Sequence, residues 1–481
     1  MQEALSSFHA NAELGATVNN GFTPLWMAAN QYGLTGIKGS NADLRVGIFH
    51  DADSYDEEAN AERGAQAAAD TKRRNWRIGY GLDAVLEFAP EAEFFIHQAY
   101  ADINYRRLLL SIGAKERGLE LKNDELSSGA QTLGINARPM PAVRIEVPDY
   151  WPLSPAIALR GHFSYGWMTD GKWQRDYVAP GIHYARHALL HTKALFLRLG
   201  NEARFPLTFE GGLEMACQFG GHIHNPIGSE KKLIRMPHGV KDYFMAIYGG
   251  GSDETDGDYL NAQGNTTGSW LASLAYKGEG WRLRAYYDHF FEDHSQAFLQ
   301  YGWRDGLIGI EATLPQNRFV TTVVYEHLRT THQSGPIYHD RTADMPIQIS
   351  AADNYYNHNL YQGWQHYGMA IGNPLFTSPL YNDNGDLQFV GNRFTAHHLA
   401  FCGDPTPALH YRFLYSHIRN WGTYNIPFPE VRHDNSFLLE ATYQGTIRRF
   451  GGYSLKAAVG ADFGNLIGNN FGLQISVSKP F

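Results

Sequence analysis

Long apolar runs are missing from this 481-residue chain: no stretch approaches the roughly 18 residues a membrane helix needs, which excludes helical spans. Mean hydropathy is −0.38, a value that a β-barrel tolerates because half of its spanning residues are polar. Cysteine is almost missing too. Cys217 and Cys402 stand far apart, which rules out a disulfide scaffold; they read as small buried residues, with a bridge between them left open. Excess basic charge is lacking: 40 Lys and Arg against 49 Asp and Glu give −9, and the cations are scattered, so nucleic acid is excluded as a partner. No Gly/Ser linker or compositional break divides residues 1–481, which are therefore expected to form one domain. Neither Gly-x-Ser-x-Gly nor a Walker loop occurs. Glu292, Asp293 and Asp305 are plentiful carboxylates, but only a separation in space identifies a glycosidase pair, so no catalytic residue is assigned and no enzyme is expected. Met1-Gln-Glu-Ala has no basic or apolar leader character; for a protein of the bacterial outer membrane, the signal peptide is then absent from this chain.

What is present is alternation. Phe471, Leu473, Ile475, Val477 and the terminal Phe481 alternate with Gly472, Gln474, Ser476 and Ser478, the period-2 dyad of a strand with one face to lipid and one to a polar lumen. Lys479 interrupts the outer row at its end, where an ammonium can snorkel to headgroups. The dyad recurs over Ile78 to Phe88, Leu159 to Trp167, Trp281 to Tyr287 and Tyr453 to Phe463, with aromatic rings at the row ends, where amphipathic rings prefer the interface. Fifty glycines and 14% aromatic residues fit many strands joined by turns. One strand and its connection per 25 to 30 residues predicts an all-β, transmembrane antiparallel barrel of about 16–18 strands. A ring of that size leaves a cavity unless loops or short helices occlude it.

Three segments lack the dyad. Residues 55–75 are alanine-rich and charged, consistent with a short helix or a loop. Residues 113–155 carry Pro139, Pro141, Pro148, Pro152 and Pro155, too many for an internal ladder, and are expected to form an extended connection or a lumenal plug. Residues 330–386, rich in His, Tyr, Asn, Asp and Gly, are the third.

Several blocks, in order, resemble the capsule-assembly Wzi family of outer-membrane proteins in its Bacteroidota form. They are Thr23-Pro-Leu-Trp26-Met-Ala-Ala-Asn30-Gln31-Tyr-Gly33; Leu126-Ser-Ser-Gly129 with Ile135-Asn136-Ala137-Arg138-Pro139; His187-Ala-Leu-Leu-His191-Thr-Lys193; and Gly257-Asp258 through Gly264-Asn265 to Trp270. Phe291-Glu292-Asp293-His-Ser295, Asp305-Gly306-Leu-Ile-Gly309, Gln333-Ser334-Gly335-Pro336, Asp353-Asn354-Tyr355-Tyr356-Asn357 and Ile371-Gly372-Asn373-Pro374-Leu375 follow. Asn357-His358-Asn359 and Thr266-Thr267 depart from the family's usual residues at places where ligand contacts are expected. The resemblance implies an outer-membrane barrel of about eighteen strands with a blocked pore, acting as a lectin that holds surface polysaccharide to the cell. Its partners would be surface polysaccharide, outer-membrane lipid and lipopolysaccharide, with room for other outer-membrane proteins in a larger complex. The alternative is a porin or transporter component passing oligosaccharides or other small solutes.

Sugar recognition needs aromatic faces for pyranose rings and amides or carboxylates for hydroxyl pairs. Asp353, Asn354, Tyr355, Tyr356, Asn357, Tyr361, Trp364 and Tyr367 supply both within fifteen residues, as ligand-binding candidates. The same residues also suit a hydrogen-bonded internal plug. His187 and His191, four apart, would lie about 13 Å apart on a strand, too far for one ion. Asp253, Asp256 and Asp258 miss the register of a calcium loop. No metal and no cofactor is expected.

Overall fold

The computed structural model describes all residues except 1–7, 52–75, 90, 203, 228–229, 249–263, 293–303, 334–336, 339–348, 351–352, 383 and 449. The expected insertion at 55–75 and the aspartates at 253–258 lie outside the described residues.

Eighteen antiparallel strands form one closed sheet. Closure is made by the first strand, Phe8–Asn19, which pairs on one side with Asn41–His50 and on the other with the last strand, Asn470–Pro480, so that Leu14 faces both Leu44 and Val477. A sheet closed on itself leaves no backbone donor unpaired toward lipid. The alternation behaves as the sequence predicts. Phe471, Leu473, Ile475 and Val477 are exposed, while Gly472 and Ser476 are buried, and Ile78, Tyr80, Leu82 and Phe88 point outward as Asp83 and Glu87 point in. The outer face is the apolar one, as it must be in a hydrocarbon solvent.

Phe8 and Phe481 sit at one end, here the terminal end. Apart from the connection after His50, strands there are joined by two to eight residues, from 106–107 to 314–321. The long connections, 20–40, 115–141, 168–188, 220–264 and 330–393, all leave from the opposite, loop end.

Residues 113–155 divide. Ala142–Ser154 is a wall strand, contrary to the expectation drawn from its prolines. It bonds to Leu108–Ala114 only as far as Glu146, so Pro148 and Pro152 lie where one side of the strand has no ladder, and its register to Ile157–Trp167 shifts on either side of them. Proline is tolerated at such an edge or bulge because no amide is required of it. Residues 115–141 form the plug part, a strap across the lumen.

Three inserts fill the barrel: residues 20–40, the strap, and the described part of 330–393. They share one apolar core built on Trp26, Tyr355, Tyr356, Trp364, Phe376 and Phe389. Two wall glycines admit it. A Cβ on Gly460 would meet Met27 at 2.6 Å, and one on Gly472 would meet Pro24 at 2.8 Å, so these lumenal positions are bare because the insert touches the wall there. Cys217 and Cys402 are both buried, with no disulfide between them.

Candidate functional site

The plug is fastened by buried polar contacts with defined partners. Lys122 Nζ lies 2.6 Å from Asp288 Oδ2, both fully buried. Glu326 accepts from the Ser127 hydroxyl at 2.6 Å, the Ser128 amide at 2.7 Å and the Tyr286 hydroxyl. Asp462 accepts from the Leu25 amide, and His398 Nε2 lies 2.8 Å from the Leu126 carbonyl. The Tyr356 amide of the third insert donates to Glu292 on the wall at 2.5 Å, so each insert reaches a wall carboxylate or imidazole. Such a network is favourable only when every member is satisfied, and it specifies one position for the insert.

The eight residues expected to bind ligand are brought together, but not as one open surface. Tyr355, Tyr356, Tyr361 and Trp364 are at most 1% exposed, with their rings packed against protein. Tyr356 stacks on Phe376 with centroids 3.9 Å apart, and its hydroxyl accepts from the Asn373 amide and donates to the Gln131 carbonyl. Trp364 Nε1 donates to the Thr132 carbonyl at 2.7 Å, and the Tyr361 hydroxyl donates to the Gly220 carbonyl at 3.0 Å. Asn357 exchanges two hydrogen bonds of 2.8 Å with Phe389, and Asn354 Oδ1 accepts from Asn392 at 2.6 Å. Asp353, Asn354 and Asn357 remain half-exposed. Seven of the eight therefore hold the plug together or line its edge; the dense aromatic-amide composition is that of a core. Burial pushes His358 down to about 4, so its neutral Nδ1 accepts from the Leu360 and Tyr361 amides.

Tyr367 is placed differently. Gln365–His366 and Met369–Ala370 form a tiny hairpin whose two loop residues, Tyr367 and Gly368, have φ of 52° and 74°. A two-residue turn with both φ positive matches strand twist, and tyrosine in that region is strained. The strain presents the ring at the tip. Asp170 Oδ2 accepts the Tyr367 amide at 3.1 Å and Gln174 Nε2 at 2.9 Å, tying this turn to the helix Gly171–Tyr177 in the next long connection. Trp173 and Tyr177 of that helix stack 4.7 Å apart at 18°, and Trp173 lies 5.8 Å from Tyr367. All three rings are half-exposed. Arg138 sits 4.8 Å from the Tyr367 ring while ion-paired with Glu87 and Glu93, and Lys38 lies 5.7 Å from the ring of Tyr177. On the same helix, its hydrogen bond to Arg175 holds the Asp176 carboxyl below its ordinary range. Sequence reading missed Trp173 and Tyr177; the Trp-x-x-x-Tyr spacing, one helical turn, was their only signal.

Beside the strap, three cavities of about 460, 480 and 430 Å³ adjoin along one wall toward the terminal end. The first and second share Arg160, and the second and third share Tyr150, Arg198 and Glu210. Their charges are mutually compensated: Arg117 and Arg144 bind Glu146, Arg160 binds Glu120, and Arg198 binds Glu210 at 2.8 Å.

The fold matches that of outer-membrane barrels. Wzi, an outer-membrane protein involved in group 1 capsule assembly in Escherichia coli and a carbohydrate-binding β-barrel, superimposes with a TM-score of 0.55 at 14% identity, covering 100% of this chain and 86% of that one. OccK5 of Pseudomonas aeruginosa gives 0.48 at 8% identity over 99% of each chain, and OprD of the same organism 0.47 at 9%, over 99% and 94%. No family model and no curated protein matches the sequence. The likeness to Wzi is thus one of fold.

Proposed function

We propose that this protein resides in the bacterial outer membrane and binds surface polysaccharide, its lumen closed by the plug and its ligand surface at the loop end. In such barrels short turns face the periplasm and long loops face outward, which sets Trp173, Tyr177 and Tyr367 toward the cell exterior. The observation that carries the reading is the plug itself: three inserts share one core and are each fastened to the wall, an arrangement suited to holding something at the surface rather than passing it. The half-exposed rings offer apolar faces to pyranose rings.

The row of adjoining cavities favours the second reading, a solute pathway. Planar-bilayer conductance and retention of the native host's capsule separate the two. A closed pore with capsule retention, weakened at least tenfold by Trp173→Ala or Tyr367→Ala in a barrel that stays folded, is the expected result. A stable open channel without glycan retention would replace the lectin with a transporter, and release of reducing ends from the glycan would make it an enzyme.

A further inference from the structure

At the terminal end the strap meets the wall in a cluster that the plug's packing does not require. Glu125 lies at the far reach of the strap, where its carbonyl accepts from Arg412 at 3.0 Å. Its carboxylate Oε1 is 2.5 Å from His410 Nε2, on the strand Leu409–Gly422. The adjoining strand, Phe394–Thr406, brings in Cys402, whose buried sulfur is 3.5 Å from the Thr321 hydroxyl. One ligand atom from each of Glu125, Cys402 and His410 lies within 4.8 Å of the others. A second, independent feature orients the imidazole. Asp404 Oδ1 lies 2.8 Å from His410 Nδ1, so the ring is held with Nε2 toward Glu125 and Cys402. A carboxylate behind the distal nitrogen is the usual outer partner of a metal-ligating histidine, because it fixes ring and tautomer and raises the basicity of the free nitrogen.

We propose that Glu125, Cys402 and His410 bind one divalent transition-metal ion of the Zn²⁺ class and that Asp404 is a positioning residue for His410. Thiolate, imidazole and carboxylate together suit Zn²⁺, with a water in the fourth position, and do not suit Mg²⁺ or Ca²⁺, which demand oxygen ligands. Glu125, His410 and Asp404 are partly exposed, so the ion has an entry path from the barrel mouth. Binding forms bonds to Sγ, Nε2 and a carboxylate oxygen and releases the protons otherwise held on Sγ and Nε2. The ion then staples the strap to two wall strands that lie 277 and 285 residues further along the chain, positions 402 and 410 against 125.

Cobalt is the probe. Titrating Co²⁺ into the full chain, reduced and in detergent, should give one equivalent bound with thiolate-to-cobalt charge-transfer absorbance in the near ultraviolet, displaced by Zn²⁺. Cys402→Ser should abolish the band and Cys217→Ser should keep it. Asp404→Asn should weaken binding about 10- to 100-fold while the band survives. Unheated gel mobility checks that each variant remains a folded barrel. Absence of the band in the folded parent, or its persistence in Cys402→Ser, overturns the site; unchanged affinity in Asp404→Asn overturns the positioning role.

Discussion

Tyr356 and Trp364 show how one residue type suits two tasks, stacking on a sugar or packing a core. Both suit stacking on sugars, yet both are swallowed by the plug, with each polar atom satisfied internally. Trp364→Ala should therefore act through the plug: about 3–5 kcal/mol of local stability lost, seen as faster hydrogen exchange across residues 353–380 and a raised conductance. A variant that loses glycan but keeps a closed, protected plug would instead return Trp364 to the ligand. Asp305 offers a test by pH. Burial pushes its carboxyl up to about 6, although the His332 and Gln333 amides favour the charge. The folded value lies above the unfolded one of about 3.9, so its contribution to stability is full below that pH and is lost as pH rises through 6. Asp305→Asn should flatten the fall in stability between pH 4 and pH 7 by at most roughly 3 kcal/mol, measured by thermal unfolding in detergent. Parallel curves for parent and variant would show that the carboxyl does not titrate there.

Among elements, the wall was legible and the inserts were not. Ile475 and Leu473 announce their face because lipid and lumen impose opposite chemistries every second residue. Pro148 and Pro152 misled because proline forbids only a position that must donate, and this strand is unpartnered on one side there. Position 367 was legible as a candidate but not its separation from 355, 356 and 364, since burial inside a plug is decided by partners more than a hundred residues away, such as Thr132 and Gln131. The strap is the element to remove. Replacing residues 118–138 by a short Gly/Ser link should leave the heat-modifiable barrel intact and give a steady conductance, because its bonds to Asp288 and Glu326 vanish together. A barrel that stays sealed would place the seal on the other two inserts. Lys122→Met alone should cost about 3–5 kcal/mol, since Asp288 would keep a buried charge with the neutral Gln131 donors but no counter-ion.

For the whole molecule, closure depends on the last strand meeting the first, and Phe481 stands beside that seam, its amide donating to the Ala10 carbonyl at 2.8 Å. Deleting Phe481 should lower the amount of protein inserted into membranes; unchanged insertion would locate the recognised signal elsewhere in the strand. The strap adds a constraint of timing. Glu125 and Ser128 find their wall partners 285 and 198 residues downstream, so the strap is fully docked only once the strands carrying His410 and Glu326 are in the sheet. Until then the lumen lacks this part of its seal, and contacts of such long sequence separation form slowly, which widens the interval in which an assembling barrel is open to cleavage at the strap or to a trapped solute.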